Sequence, residues 1–253
     1  MLPQAPDFRV DGKRALVTGA SRGLGLAAAA ALAQAGAVVT LAARSEPELR
    51  AACEQIGAVG GQCNFLVVDV TDSAAVDREI GARGPFQILV NNAGMNRPKE
   101  LGALTDADID AVLNLNVKAA FYVTRTVVRG LQGSGLAGSV INVSSQMGHV
   151  GSPRRSLYCA SKHAIEGMTR ALAWELGRFN IRVNTVCPTF IETAMTADMF
   201  ADAQFRNWVT DRIALGRLGR IDEVAGAVVF LASEASSLMT GSALMLDGGW
   251  TAA

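Results

Sequence analysis

Seven short apolar, β-branched runs alternate with stretches of helical periodicity, and this alternation limits what the chain can fold into. The runs are Arg14–Thr18, Val38–Ala42, Asn64–Asp69, Ile88–Asn91, Ser139–Ser144, Arg182–Val186 and Ala243–Leu246. Most are solidly apolar, the pattern of strands covered on both faces. Between them lie helical patterns: Leu24–Ala35, stopping at Gly36; Pro47–Ile56, stopping at Gly57; Ala74–Ile80, capped by Ser73; Asp106–Gly130, with a break near Asn114; Leu157–Arg178; and Asp222–Leu231. Such alternation predicts an α/β fold, a three-layer, doubly wound parallel sheet with helices on both faces. No repeat, low-complexity tract or linker interrupts it, so one domain over residues 1–253 is expected.

Composition removes other classes. Half of the residues are hydrophobic, and 23 basic residues balance 23 acidic ones, so the chain is neither disordered nor charged for nucleic acid or an anionic membrane. The apolar stretch from Leu24 to Ala43 holds Gln34 and Gly36 and turns β-branched at Val38, so it reads as helix, turn and strand rather than a membrane span. Met1 to Asp11 lacks the apolar core of a signal peptide. Cys53, Cys63, Cys159 and Cys187 show no CxxC pair or metal-ligand spacing, and reduced thiols in a cytoplasmic protein are the expectation.

The first strand runs into Thr18-Gly19-Ala20-Ser21-Arg22-Gly23-Leu24-Gly25, which opens the first helix. In a βαβ unit, glycines there let the backbone approach a pyrophosphate, and the helix N-terminus adds free N–H groups. Gly19, Ser21, Arg22, Gly23, Leu24 and Gly25 are therefore candidate dinucleotide-binding residues. At the end of the second strand, Leu41-Ala42-Ala43-Arg44-Ser45 has no carboxylate to hold ribose hydroxyls. Arg44 instead offers a planar fork suited to a 2′-phosphate, with Arg22 as a second cation, which points to NADP(H) over NAD(H). Both arginines could equally be solvated surface residues.

Tyr158 and Lys162 stand at i and i+4 on the helix after the fifth strand, on one face. A nearby ammonium lowers a phenol pKa and lets it work as acid or base. Ser144 and Ser145 end the preceding strand and could place a hydroxyl beside the pair.

These motifs together resemble the short-chain dehydrogenase/reductase family, in its single-domain branch, from Lys13 to Gly249. The resemblance rests on the TGxxxGxG turn, Asp69-Val70, Asn91-Asn92-Ala93-Gly94, Asn116, Ser145, the Tyr158/Lys162 pair and the closing Asp247-Gly248-Gly249. It implies a Rossmann-like sheet of about seven strands in the order 3-2-1-4-5-6-7. It implies that Tyr158 is the acid in reduction and the base in oxidation, and that Lys162 lowers the Tyr158 pKa and binds the nicotinamide ribose. Ser145, thirteen positions before Tyr158, would polarise the substrate carbonyl, and Asn116 would hold a proton-relay water, with Asn114 as runner-up. Asp69 and Val70 would contact adenine, while Asn91, Ala93 and Gly94 would line the cofactor cleft, although Asn91 could mainly brace the sheet. Pro188, Ile191 and Thr193 would hold the nicotinamide end. Relatives place Gly after that proline. Here it is Thr189, which puts the loop path in doubt, because a non-glycine residue takes positive φ only at a cost.

The substrate wall is expected from Gln146, Met147 and His149, with Met95, Asn96, Arg97, Pro153, Arg154 and Arg155 nearby. The excursion at 188–219 carries Met195, Met199, Phe200, Phe205 and Trp208, and is expected to be a lid or pocket wall, a packed satellite helix pair, or both. The expected activity is an NADP(H)-dependent oxidoreductase acting on a small carbonyl or secondary alcohol, a ketone, sugar or 3-oxoacyl group. An NAD-linked polyol dehydrogenase and a non-catalytic cofactor-binding protein are the alternatives, and no metal is expected. In relatives the helices around Phe121 and Trp174 form a two-fold interface and the C-terminus, here Met239, Leu244, Trp250 and Ala253, a second, which implies a homotetramer.

Overall fold

The structure is a computed structural model and describes residues 5–193 and 200–252. Its strands are β1 (Arg14–Thr18), β2 (Val38–Ala43), β3 (Gln62–Val67), β4 (Ile88–Asn91), β5 (Gly138–Val143), β6 (Ile181–Pro188) and β7 (Ala243–Leu246). They form one sheet in the order β3-β2-β1-β4-β5-β6-β7, and all six pairings are parallel. The helices are α1 (Gly23–Gln34), α2 (Glu46–Ala58), α3 (Ser73–Ala75, continued by a π turn Val76–Ile80), α4 (Asp106–Leu113), α5 (Ala119–Ser134), α6 (Ser156–Leu176), α7 (Ala203–Thr210) and α8 (Ile221–Ala232).

The expected three-layer architecture and strand order are observed. Parallel strands need crossovers, and helices crossing on both faces explain why β1, β4 and β5 are buried along most of their length. On one face α1 and α8 pack Leu32, Val228 and Leu231 against Val39, Ile88 and Val90. On the other, α5 and α6 pack Val123, Val127 and Leu176 against Leu16, Leu89 and Val140.

Local chemistry sets the boundaries. Gly36 adopts φ +101° after α1, as its place past the helix end requires. The long pattern from Asp106 does break at Asn114, as a π turn over Asn114–Lys118 between α4 and α5. Three expectations are corrected. The cap of α3 is Asp72, whose carboxylate accepts from the N–H groups of Ala74 and Ala75 at 3.0 Å, rather than Ser73, because two orphan donors fall within reach of one oxygen. Helix α2 runs through Gly57, and the chain reverses at Gly60, φ +82°. That reversal sets Cys53 against Cys63, whose Cα atoms lie 5.4 Å apart in a disulfide, so two of the four thiols expected to be free are paired. Cys159 and Cys187 are free and buried.

The excursion after β6 is clamped at its base, where Gly219 N–H donates to Phe190 O and Glu192 N–H to Gly219 O. Above the clamp, Phe190, Phe200, Val209, Ile213 and Leu218 form a buried cluster with Met147 and Cys159, and Tyr158, Phe205, Trp208 and Trp250 pack against it. The excursion is thus both a packed satellite and a wall beside Tyr158. Met195 and Met199 lie outside the described residues, as does Ala253. Among the described residues no helix is long and apolar enough to cross a membrane.

Candidate active site

The candidate site gathers at the carboxyl ends of the strands, where β1 is flanked by β2 on one side and β4 on the other, so that the chain winds away in both directions and leaves a crevice. The glycine turn lies there. At Gly19, φ is +63°, and an added Cβ would stand 2.9 Å from Ala93 Cα, so glycine permits the close approach of the β4 turn. At Gly25 a Cβ would meet Gly19 O and Asn92 Nδ2 at 2.4 Å, so here glycine lets helix pack on strand. Gly23 differs: φ is +59°, and nothing lies within 4 Å of where its Cβ would be. No side chain caps α1, whose first N–H groups are left to the crevice beside Ser21, Gly23 and Leu24. A left-handed glycine facing open space and an uncapped twelve-residue helix fit a dinucleotide pyrophosphate.

Asn92 is the member of this region that sequence reasoning missed as a site residue. Its Nδ2 donates to Thr18 O and Gly19 O, both at 3.0 Å, while Thr18 Oγ1 accepts from the N–H groups of Asn92 and Ala93, both at 3.1 Å. Its place in the Asn-Asn-Ala-Gly motif was the available signal. The neighbouring Asn91 braces the sheet: its Nδ2 donates to Thr124 Oγ1 at 2.8 Å and Asn142 Oδ1 at 2.9 Å.

At the adenosine end, Arg44 and Asp69 line a recess of about 420 Å³ with Val67, Val68 and Asp72. Because β3 ends at Val67, Asp69 and Val70 lie on the loop beyond the strand. Burial pushes the Asp69 carboxyl up, but bonds from Thr71 N–H (2.9 Å) and Thr71 Oγ1 (2.7 Å), with the Arg44 charge, outweigh it and hold Asp69 below the usual carboxylate range. Arg22 and Arg44 are exposed, and the Arg22 side chain makes no hydrogen bond or ion pair among the described residues.

The candidate reacting groups come from the end of β5 and from α6. Ser145 follows β5, and its Oγ accepts from Met147 N–H at 3.1 Å and donates to Pro188 O at 3.5 Å. Lys162 is buried, and its Nζ donates to Val143 O at 2.7 Å and stands 5.5 Å from the centre of the Tyr158 ring. Burial lowers the Lys162 pKa to about 8, against the opposing pull of Cys187 and Glu166. Asn116 sits in the π turn. It accepts from Met95 N–H at 2.8 Å and donates to Met95 O (2.9 Å) and Ser161 Oγ (3.0 Å). A Cβ on Gly94 would lie 3.3 Å from Asn116 Oδ1 and 3.8 Å from Lys162 Nζ, so Gly94 is the point where these groups meet. One expectation reverses: burial dominates at Tyr158 and raises its phenol, and the opposing effects come from Ser145 and Arg155 rather than from Lys162.

On the substrate side, Gln146 and Met147 are buried. His149 Nε2 stands 3.5 Å from both Glu166 Oε1 and Cys187 Sγ. Thr189 needs no left-handed backbone: its N–H donates to Leu246 O at 3.2 Å, and the only described non-glycine residues with positive φ are Arg154 and Asn180. Ile191 is buried and bridged to Gly219, and Thr193 is the last residue described before the gap.

Comparison with known proteins agrees with this geometry. A family profile described as enoyl-(acyl carrier protein) reductase matches residues 19–251. The chain is 39% identical over 251 residues to gluconate 5-dehydrogenase of Gluconobacter oxydans, covering 97% of this chain and 98% of that one. It is 40% identical over 246 residues to the 3-oxoacyl-(acyl-carrier-protein) reductase of Thermotoga maritima, covering 96% and 99%. A gluconate 5-dehydrogenase from Burkholderia cenocepacia, crystallised with NADP and tartrate, superposes with a TM-score of 0.94 at 36% identity, covering 98% of each chain.

Proposed function

This chain belongs to the short-chain dehydrogenase/reductase family, and on that footing we propose that it is an NADP(H)-dependent oxidoreductase acting on a polyhydroxylated ketone or secondary alcohol of the sugar or sugar-acid kind. Identity does not choose between sugar and acyl substrates, since relatives of both kinds match equally well. The observation that carries the choice is a set of buried polar atoms without partners: Asn96 Oδ1, Gln146 Oε1 and Thr189 Oγ1. They follow β4, β5 and β6, three adjacent strands, on the loops that flank Ser145. Each unsatisfied group costs about 1–3 kcal/mol, a cost recovered when these side chains turn toward a substrate rich in hydroxyls and not when they turn toward an acyl chain. The tartrate-bound relative has the same kind of ligand.

When bound, the cofactor supplies or accepts the hydride. The protein's part is position and proton transfer. In reduction Tyr158 gives its proton to the carbonyl oxygen as the carbon becomes an alcohol carbon, and in oxidation it takes that proton back. Ser145 donates to the same oxygen as charge builds there. Lys162 fixes the ribose and, with Asn116 and a water, returns a proton to Tyr158. The aromatic cluster around Phe190 excludes water from one side.

The test is a rate panel with NADPH and NADH on keto-sugars, keto-sugar acids, simple ketones and a 3-oxoacyl thioester. Keto-sugars or keto-sugar acids should give the highest kcat/KM, and preference for the thioester would overturn the substrate reading. Tyr158→Phe should lower kcat by about 10²–10⁴ with unchanged NADPH binding. A variant that kept most of its turnover would remove Tyr158 from its role. We further propose a homotetramer with an interface over the outward Phe121 and Trp174, 47% and 91% exposed.

A further inference from the structure

Outside the catalytic set, three potential metal ligands from three elements meet at one point behind Ser145. His149 follows the turn Gln146–Gly148, Glu166 lies on α6 one turn past Lys162, and Cys187 is near the end of β6. His149 Nε2 is 3.5 Å from Glu166 Oε1 and 3.5 Å from Cys187 Sγ, and Cys187 Sγ is 3.3 Å from Glu166 Oε1.

The shape of this set separates two chemistries. In a nucleophilic relay the acid holds the imidazole nitrogen remote from the nucleophile, so the three groups form a line. Here carboxylate and sulfur crowd the same nitrogen and form a triangle. Donors at about 2.0–2.3 Å around a tetrahedral zinc stand about 3.3–3.6 Å from one another, and all three edges fit. Nitrogen, sulfur and carboxylate oxygen are zinc's ligand types, whereas calcium and magnesium take oxygen.

A second observation points to a ligand independently. Ser144 is 2% exposed, and its hydroxyl has no hydrogen-bond partner of good geometry among the described residues. It lies beside the Cys187 thiol. A Cβ built on Gly148 would stand 2.9 Å from Ser144 Oγ and 3.1 Å from Glu166 Cγ, so glycine keeps that space open. Thr185 Oγ1 donates to Glu166 Oε2 at 3.2 Å and so holds the other carboxylate oxygen in place, as outer partners of metal ligands do.

We propose that His149, Glu166 and Cys187 form a zinc site, with the Ser144 hydroxyl or a water at the fourth position. On binding, the Cys187 S–H bond breaks as Zn–S forms, and the proton leaves to solvent. The partly exposed His149 is the entry side. Zinc bound there would tie β6, α6 and the turn bearing Gln146 together.

The probe is cobalt(II), added to chelator-treated full-length protein and followed by absorption. One cobalt per chain should bind, with a thiolate-to-metal charge-transfer band that zinc removes. Cys187→Ser should abolish the band, and Cys159→Ser, which removes the other free thiol, should keep it. His149→Ala, at a partly exposed loop position where folding is not at stake, should weaken cobalt binding at least ~10-fold. A hydrogen-bonded cluster without metal affinity would give no band in the unaltered protein. That result, a band surviving Cys187→Ser, or unchanged affinity in His149→Ala would overturn the proposal.

Discussion

Arg44→Ala is the sharpest probe of cofactor choice. The side chain stands exposed just past β2, on the wall of the recess that also holds Asp69. A hydrogen bond between a guanidinium and a phosphate contributes about 1.5–3 kcal/mol, or about 13- to 160-fold in affinity. The group is exposed and screened by salt, so the lower end applies. The KM for NADPH should therefore rise about tenfold, while that for NADH changes less than about threefold. Arg44→Lys should fall between, because it keeps the charge and loses the fork. Raising the ionic strength should shrink the preference of the unaltered enzyme and leave that of Arg44→Ala nearly constant. Initial rates with each cofactor at saturating substrate measure all of these. Removing Arg44 also takes away a charge that helps hold the Asp69 carboxyl down, so some loss with both cofactors is expected. An equal loss with both, in Arg44→Ala and again in Arg22→Ala, would refute phosphate recognition.

Other predictions address the glycine turn, the lysine and the surface. Gly25→Ala puts a methyl 2.4 Å from Gly19 O and should cost about 1–3 kcal/mol in denaturant melts and impair cofactor binding. Gly23→Ala meets no atom and should cost only its left-handed strain, about 1–2 kcal/mol, so equal effects on NADPH affinity would contradict the distinction between packing and approach. Lys162, its pKa lowered from 10.5 to about 8, binds fewer protons folded than unfolded between those values, so its contribution to stability rises with pH across that window. The gain is about 3 kcal/mol as an upper figure, and Lys162→Met should flatten that part of the pH–stability curve. Trp174→Glu should leave the fold intact and lower the mass seen by light scattering, and an unchanged mass would exclude that face from the interface.

Strand positions and the layered architecture were legible because each rests on local pattern, apolar runs of strand length and glycine at a strand–helix turn, whereas the candidate set Asn116, Ser145, Tyr158 and Lys162 was carried by the family resemblance. Capping and turns were legible only in part, since Ser73 and Asp72 are both good caps and backbone geometry chose between them. The role of Asn91 could not be decided locally either. Its partners Thr124 and Asn142 come from α5 and β5, and only the paired sheet shows that its amide is already used. Burial decided the electrostatics: the spacing of Tyr158 and Lys162 promised a depressed phenol, yet desolvation, which depends on everything packed around the pair, raises it.

The amino-acid sequence by itself determined the class of fold and the glycine turn between β1 and α1, because those follow from periodicity and from short-range spacing. Tertiary structure alone decided that Cys53 meets Cys63, that the excursion's aromatic rings stand beside Tyr158, and that His149, Glu166 and Cys187 converge. Each of these is a contact between elements whose distance in space is set by the crossover of strands and helices, which spacing along the chain does not encode.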